Sequence, residues 1–264
     1  MINKDWWKNF FDERYLKTYV DIKSKEATLK EVKFLFDIIK NKFKDQKIKI
    51  LDLACGYGRH SILLAQKGLK VVGVDYSKYF LKIALAKVKD LGFKNVKFIR
   101  KDVRKISYQN EFDLVINMFT SFGYFRDEKD NIKVLKNVYR ALKKGGYFIL
   151  DLENAVCLVN TLIKRGKTDK DGFLFIENKK LLSNNLEVLT KLAFNHLNLR
   201  FVLERKWREN NKKNSSKANC RLYYPEEILS YLRLLNFKIV KIYGDFRKNK
   251  YTFDSPRMII IAQK

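Results

Sequence analysis

The chain has 264 residues, 46% of them hydrophobic, with 56 Lys and Arg against 29 Asp and Glu for a formal net charge of +27. That length and apolar content suit one large domain, or one domain carrying a sizeable insertion, and exclude a disordered chain. No apolar run approaches the roughly 20 residues of a membrane span. The opening Met-Ile-Asn-Lys-Asp-Trp-Trp lacks the apolar stretch and cleavage site of a signal peptide. The expectation is a cytoplasmic protein in which Cys55, Cys157 and Cys220, odd in number and far apart, are reduced thiols. A surface this basic would attract nucleic acid or anionic metabolites. The lysines, however, run through the whole chain without a basic arm or tail, which favours solvated faces over a nucleic-acid footprint.

Trp6, Trp7, Phe10, Phe11, Tyr15 and Tyr19 recur at helical spacing and predict a first helix from Trp6 to about Val20. Val32, Leu35, Phe36 and Ile39 predict a second over 28–42. A short apolar strand over 48–53 runs into Ala54-Cys55-Gly56-Tyr57-Gly58, and a helix over 61–67 stops at Gly68. Strands over 71–74, 96–99, 112–118 and 147–152 then alternate with helices. One helix spans 78–91, capped by Ser77 and stopped by Gly92; the other spans 130–142. Such alternation implies βαβ units and a mainly parallel sheet. Beyond 152 the rhythm changes. A helical stretch over 156–164 precedes strand-like runs over 173–176, 186–195, 199–207 and 218–223, with a polar loop over 210–217. Pro225 opens a helix reaching Leu235, and strands over 238–243 and 258–262 close the chain. The predicted fold class is α/β, a Rossmann-like, seven-stranded, mainly parallel sheet with an inserted small antiparallel β-sheet. The expected division is N-terminal helices over 1–47, a core over 48–152, the inserted sheet over 153–224, and completion of the core sheet over 225–264.

The loop after the first strand carries the strongest chemical signal. Gly56 and Gly58 let the backbone approach a ligand closely, and the following helix presents free N–H groups to an anion. Asp75 ends the second strand about 20 residues further on, where a carboxylate can accept both hydroxyls of a ribose. Asp102 ends the third, where it can accept an exocyclic adenine amino group. All lie at carboxyl ends of parallel strands, where open α/β sheets bind ligands. A dinucleotide fingerprint would need a third glycine where Ser61 stands. Asp52, one residue from the end of the first strand, suits a sulfonium or ammonium better than a pyrophosphate.

Leu51-Asp52-Leu53-Ala54-Cys55-Gly56-Tyr57-Gly58, Gly73-Val74-Asp75, Lys101-Asp102-Val103, Phe112-Asp113-Leu114-Val115 and Leu142-Lys143-Lys144-Gly145-Gly146 resemble the ordered motifs of class I S-adenosylmethionine (SAM)-dependent methyltransferases. The resemblance covers about 48–152. It implies SAM as cofactor, S-adenosylhomocysteine (SAH) as product, and SAM contacts at Asp52, Gly56, Asp75 and Asp102. Their neighbours Ala54, Gly58, Tyr76, Val103, Asn117, Met118 and Phe119 complete the expected cofactor set. Ala54 departs from the family's more usual glycine. The family also implies an antiparallel seventh strand, which the C-terminal strand matches. Asn117-Met118-Phe119-Thr120-Ser121-Phe122-Gly123-Tyr124-Phe125 and Arg221-Leu222-Tyr223 are similar to segments of small-molecule members such as sugar-amine N,N-dimethyltransferases.

Other residues carry two readings each. Arg59 is either a partner of the SAM carboxylate or a surface arginine. His60 is either a general base or a packing residue at a helix start. Tyr15 and its aromatic neighbours are either a lid that meets the sulfonium through ring faces or a core stripe. Ser121, Tyr124, Arg221 and Tyr223 are expected to bind the acceptor, with Tyr124, His60 and Tyr223 as catalytic candidates. Two histidines and three scattered cysteines make no metal-ligand spacing. The favoured acceptor is a small molecule, with nitrogen preferred because no convincing base stands out. A nucleic-acid acceptor and a non-catalytic SAM-binding protein remain open alternatives. The oligomeric state is not legible.

Overall fold

The computed structural model describes residues 3–19, 24–43 and 47–264. Its main sheet has seven strands: β1 (Lys49–Leu53), β2 (Lys70–Asp75), β3 (Val96–Arg100), β4 (Phe112–Asn117), β5 (Leu142–Glu153), β11 (Lys238–Tyr243) and β12 (Arg257–Gln263). Their order is β11-β12-β5-β4-β1-β2-β3, and β12 alone runs antiparallel to its neighbours. The chain reverses direction between β1, which leads outward through β2 and β3, and β4, which leads the other way. The carboxyl ends of β1 and β4 therefore flank a natural crevice.

Helices cover both faces, so the central strands are apolar on both sides. On one face Ile50, Leu114, Ile116 and Ile149 pack against α3 (Lys25–Lys42) and α4 (Arg59–Gln66) through Val32, Leu35 and Leu64. On the other, Leu51, Leu53, Val115 and Phe148 pack against α6 (Glu128–Ala141) and α8 (Pro225–Leu234) through Leu135, Val138 and Leu232. Helix α5 (Lys78–Leu91) begins at Ser77, whose Oγ accepts from Phe80 N at 3.1 Å, and ends at a left-handed Gly92, as its sequence predicts.

Between β5 and α8 the chain forms α7 (Ala155–Arg165) and a separate antiparallel sheet of β6 (Lys167–Thr168), β7 (Leu174–Leu181), β8 (Glu187–Asn195), β9 (Arg200–Glu209) and β10 (Lys212–Arg221). Leu162 of α7 packs with Phe194, Phe201 and Leu222 to anchor this sheet.

Two sequence expectations change. The polar run over 210–217 is not a loop. Asn210 and Asn211, at φ 50° and 61°, form a tight turn, and β10 pairs with β9 from Lys212 onward. Asparagine tolerates the left-handed conformation that such hairpins need, and one solvated face explains the polarity of the strand. The expected first helix is also two: α1 (Trp7–Phe10) and α2 (Glu13–Thr18). Asp12 interrupts it because its carboxylate accepts from Tyr15 N at 3.2 Å and starts the second helix afresh. Val20, where the expected helix ends, lies outside the described residues.

Candidate active site

The loop leaving β1 folds back on its own strand ends. Gly58 sits at φ 76°, and a Cβ there would fall 2.6 Å from the Phe98 ring, so neither backbone nor neighbour admits a side chain. Gly56 N donates to Asp75 Oδ2 at 2.8 Å, while Ser77 N donates to Asp75 Oδ1, also at 2.8 Å. Two backbone donors thus orient the Asp75 carboxylate at the cleft wall. Ala54 takes φ 55°, a left-handed conformation that explains why glycine is usual here.

Asp75, Tyr76, Asp102 and Val103 line one cavity together with Ala54 and Ser121. The Asp102 carboxylate is gripped by the Arg104 side chain, Nη2 to Oδ2 at 2.6 Å, and by Arg104 N at 2.9 Å. Burial alone would raise its pKa, but these bonds outweigh burial and leave it below the usual carboxylate value. Asp102 is therefore held ionised, ready to accept from a ligand amino group.

The N-terminal segment roofs this cavity. Trp7 packs edge-on to Tyr76 at 5.0 Å and to Phe125 at 5.4 Å, Phe11 meets Tyr124 at 5.5 Å, and Ser77 Oγ donates to Phe11 O at 2.6 Å. Phe11 and Tyr124 also line a second, more apolar cavity of about 330 Å³ beneath the inserted sheet. Tyr15 lies in its wall, stacked on Tyr19 at 4.0 Å.

The segment leaving β4 is bent sharply: Phe119 and Thr120 both have positive φ, at 59° and 55°. Phe119 N donates to Asp151 Oδ2 at 2.8 Å, and Arg257 bridges Asp151 and Thr120 through bonds of 2.8 and 3.0 Å. These clamps hold a costly backbone conformation at the site. Gly123, at φ 94°, is equally constrained, because its Cβ would lie 2.2 Å from Arg221 O. Arg200 fastens the same loop from β9 by donating to the carbonyls of residues 123–125.

Several expected residues stand elsewhere. Asp52 is 1% exposed and lines neither cavity; its Oδ2 accepts from Ser61 Oγ at 2.6 Å, and burial pushes its pKa up to about 7. It supports the loop from below. His60 is buried against Glu31, with Nε2 2.6 Å from Oε2, and burial lowers its pKa. It borders neither cavity. Met118 is a core residue between α3 and the sheet. Asn117 donates to Leu53 O at 3.0 Å and keeps its buried Oδ1 unpaired. Arg59 ion-pairs with Glu31 and lies 5.1 Å from the Phe119 ring centroid, with a buried Nη2 lacking any partner among the described residues.

Arg221 and Tyr223 do point the same way, but away from the apolar cavity. Arg221 Nε lies 3.2 Å from Glu128 Oε2 and its Nη2 pairs with Glu227; Tyr223 OH donates to Glu128 Oε1 at 2.9 Å from within the core. The opposite face of that segment, Ala218, Cys220 and Leu222, lines the cavity instead. Side chains alternate along a strand, so Arg221 faces opposite to Cys220. Sequence reasoning also missed Asp151, Glu153 and Arg205 as members of the site region.

These features fit SAM. The Asp75 carboxylate is held by two backbone donors as a ribose would require, Asp102 is kept below the usual carboxylate pKa, and a buried Arg59 Nη2 without a partner among the described residues has the chemistry a carboxylate needs.

Known proteins agree. A family model described as "Methyltransferase domain" matches residues 44–221, more than half of the chain. YqeM of Bacillus subtilis (strain 168), whose methyltransferase assignment is itself provisional, is 28% identical over 222 residues, covering 83% of this chain and 85% of its own. A SAM-dependent methyltransferase from Clostridium acetobutylicum ATCC 824 superposes with a TM-score of 0.78 at 20% identity, covering 95% of this chain and 97% of its own. SAM-bound CalS10, an amino pentose methyltransferase from Micromonospora echinaspora, gives 0.68 at 16% identity over 97% and 98% of the two chains. Joined to the glycine loop and its paired carboxylates, the family match makes this chain a class I SAM-dependent methyltransferase.

Proposed function

We propose that the chain methylates a small molecule, at nitrogen by preference, seated in the apolar cavity under the inserted sheet. The observation that carries this is the shared wall: Phe11 and Tyr124 line both the cofactor cleft and the apolar cavity. SAM, when bound, supplies a methyl group activated by the sulfonium. Asp75 would hold the ribose, Asp102, Tyr76 and Val103 the adenine end, and Arg59 the carboxylate. The segment over 3–19 would act as a lid and the sheet over 153–224 as the acceptor cap, in a cytoplasmic enzyme.

The protein's contribution is alignment and exclusion of water. Burial drives the Tyr124 pKa far up, so its hydroxyl stays protonated and orients the acceptor instead of taking its proton. Glu153, on the cavity wall, already accepts from Arg257 Nη1 at 2.6 Å. An amine arriving neutral needs no base before it attacks and releases its proton afterwards. The amino pentose named for CalS10 and the sugar N-methyltransferase KedS8, of like fold, support nitrogen.

The test is transfer of labelled methyl from SAM to a host small-molecule extract and to host RNA in parallel. Label in the small-molecule fraction is expected. Methylation of RNA, with none in the extract, overturns the reading. Once a product is in hand, Tyr124→Phe and Leu222→Trp should lower kcat/KM and leave the SAM dissociation constant nearly unchanged.

A further inference from the structure

Buried guanidinium groups are costly unless their donors are met. Four arginines near the site illustrate the rule and its exception. Arg257 pairs with Asp151 and Glu153, and Arg59 with Glu31. Arg200 has no carboxylate partner among the described residues, yet its Nε, Nη1 and Nη2 all donate, to Asn219 and to the carbonyls of residues 123–125. Arg205, on β9, is 6% exposed and lines the apolar cavity. Its Nη1 donates to Thr18 O and its guanidinium covers the Tyr19 ring 3.6 Å from the centroid. Nε is buried without a partner, and no carboxylate among the described residues lies within ion-pair distance. Burial lowers its pKa from the usual arginine value, with only Tyr19 and Tyr15 opposing that trend. Among the described residues the cavity thus holds one strong cation, Arg205, without a carboxylate partner, beside apolar walls that include Phe119, Leu192 and Phe201.

We propose that Arg205 binds an oxyanion of the acceptor, a carboxylate or its equivalent, so that the acceptor is an apolar-bodied anion. Guanidinium is the side chain best suited to a planar carboxylate, and in a poorly hydrated cavity such a pair gains strength. Tyr19 on one side and the apolar wall on the other would orient the anion end, leaving the nucleophile to reach the shared wall at Tyr124. This rests on the small-molecule reading above and narrows it.

The test measures binding of two probes of one shape, 4-phenylbutanoate and 4-phenylbutanamide, to the SAH-loaded protein by calorimetry. The carboxylate is expected to bind about tenfold or more tightly than the amide, the mark of a charge-assisted pair. Arg205→Met should erase that preference and keep the amide affinity, whereas Arg205→Lys should retain part of it. The SAH affinity should stay within about twofold in both variants, which also shows that they fold. Three results overturn the proposal. One is equal or absent binding of both probes to the unaltered protein. Another is a carboxylate preference that survives in Arg205→Met. The third is a main effect on SAH, which would turn Arg205 toward the cofactor. Failure of the small-molecule reading shows separately, as RNA labelling in the transfer assay.

Discussion

In the proposed function Asp75 carries two tasks on one side chain. Its carboxylate organises the glycine loop through Gly56 N and faces the cleft at the same time. Asp75→Ala should weaken SAM binding by about 1–3 kcal/mol, because ribose hydroxyls lose an acceptor and a buried N–H loses its partner; calorimetry reads the change directly. Asp52 behaves differently. Burial raises its pKa from 3.8 to about 7. Between those values the folded chain keeps a proton that the unfolded chain has released. Its protonated form therefore stabilises the fold at low pH, and that contribution is lost as pH rises through about 7. Denaturant titrations should show Asp52→Asn gaining stability relative to the unaltered chain as pH climbs from 4 to 8. A constant difference across that range would mean that Asp52 titrates normally.

Among the elements, the N-terminal segment is the one whose role depends on neighbours. Its helices are short, and isolated helices of this length do not persist in water. Aromatic packing on Tyr76, Phe80, Tyr124 and Phe125 holds them instead. The cofactor cavity beneath them is about 50 Å³, well under the roughly 300 Å³ at which small-molecule pockets begin. Trp7 and Phe11 must therefore shift when a nucleoside enters. Backbone amides over 7–19 are expected to exchange hydrogen faster than those of α3 in the free protein and to gain protection with SAH. Unchanged exchange would show that the segment is a fixed wall and not a lid. The inserted sheet is firmer, with β8, β9 and β10 paired over long registers. Its cavity-facing phase was not readable, since nothing in an alternating polar strand says which side of it will be covered.

For the whole molecule, the charge of +27 is the property most open to misreading. Several arginines are spent inside the fold: Arg59, Arg104, Arg200, Arg221 and Arg257 each hold a carboxylate or a loop carbonyl. Host tRNA is expected to bind weakly at physiological salt, with no saturable submicromolar complex and no methyl incorporation. Tight binding that falls steeply with salt would mark a genuine phosphate track. Among the described residues, no helix is long and apolar enough to cross a membrane.

The sequence by itself determined the α/β alternation, the glycine loop and the strand-end placement of Asp75 and Asp102, because period, turn chemistry and strand-end acids are local features that survive without a partner. Helix α5 with its Ser77 and Gly92 boundaries is legible for the same reason. The proposed acceptor cavity was decided only by tertiary structure. Arg205 and Tyr19 are 186 positions apart and become a pair only when β9 meets the N-terminal segment. Phe11 and Tyr124, more than 100 positions apart, likewise meet only in the fold and line both cavities. Whether a buried arginine is paired, as Arg257 is, or has no carboxylate partner among the described residues, as Arg205 has none, depends on which carboxylates the folded chain brings near, and no local pattern encodes that.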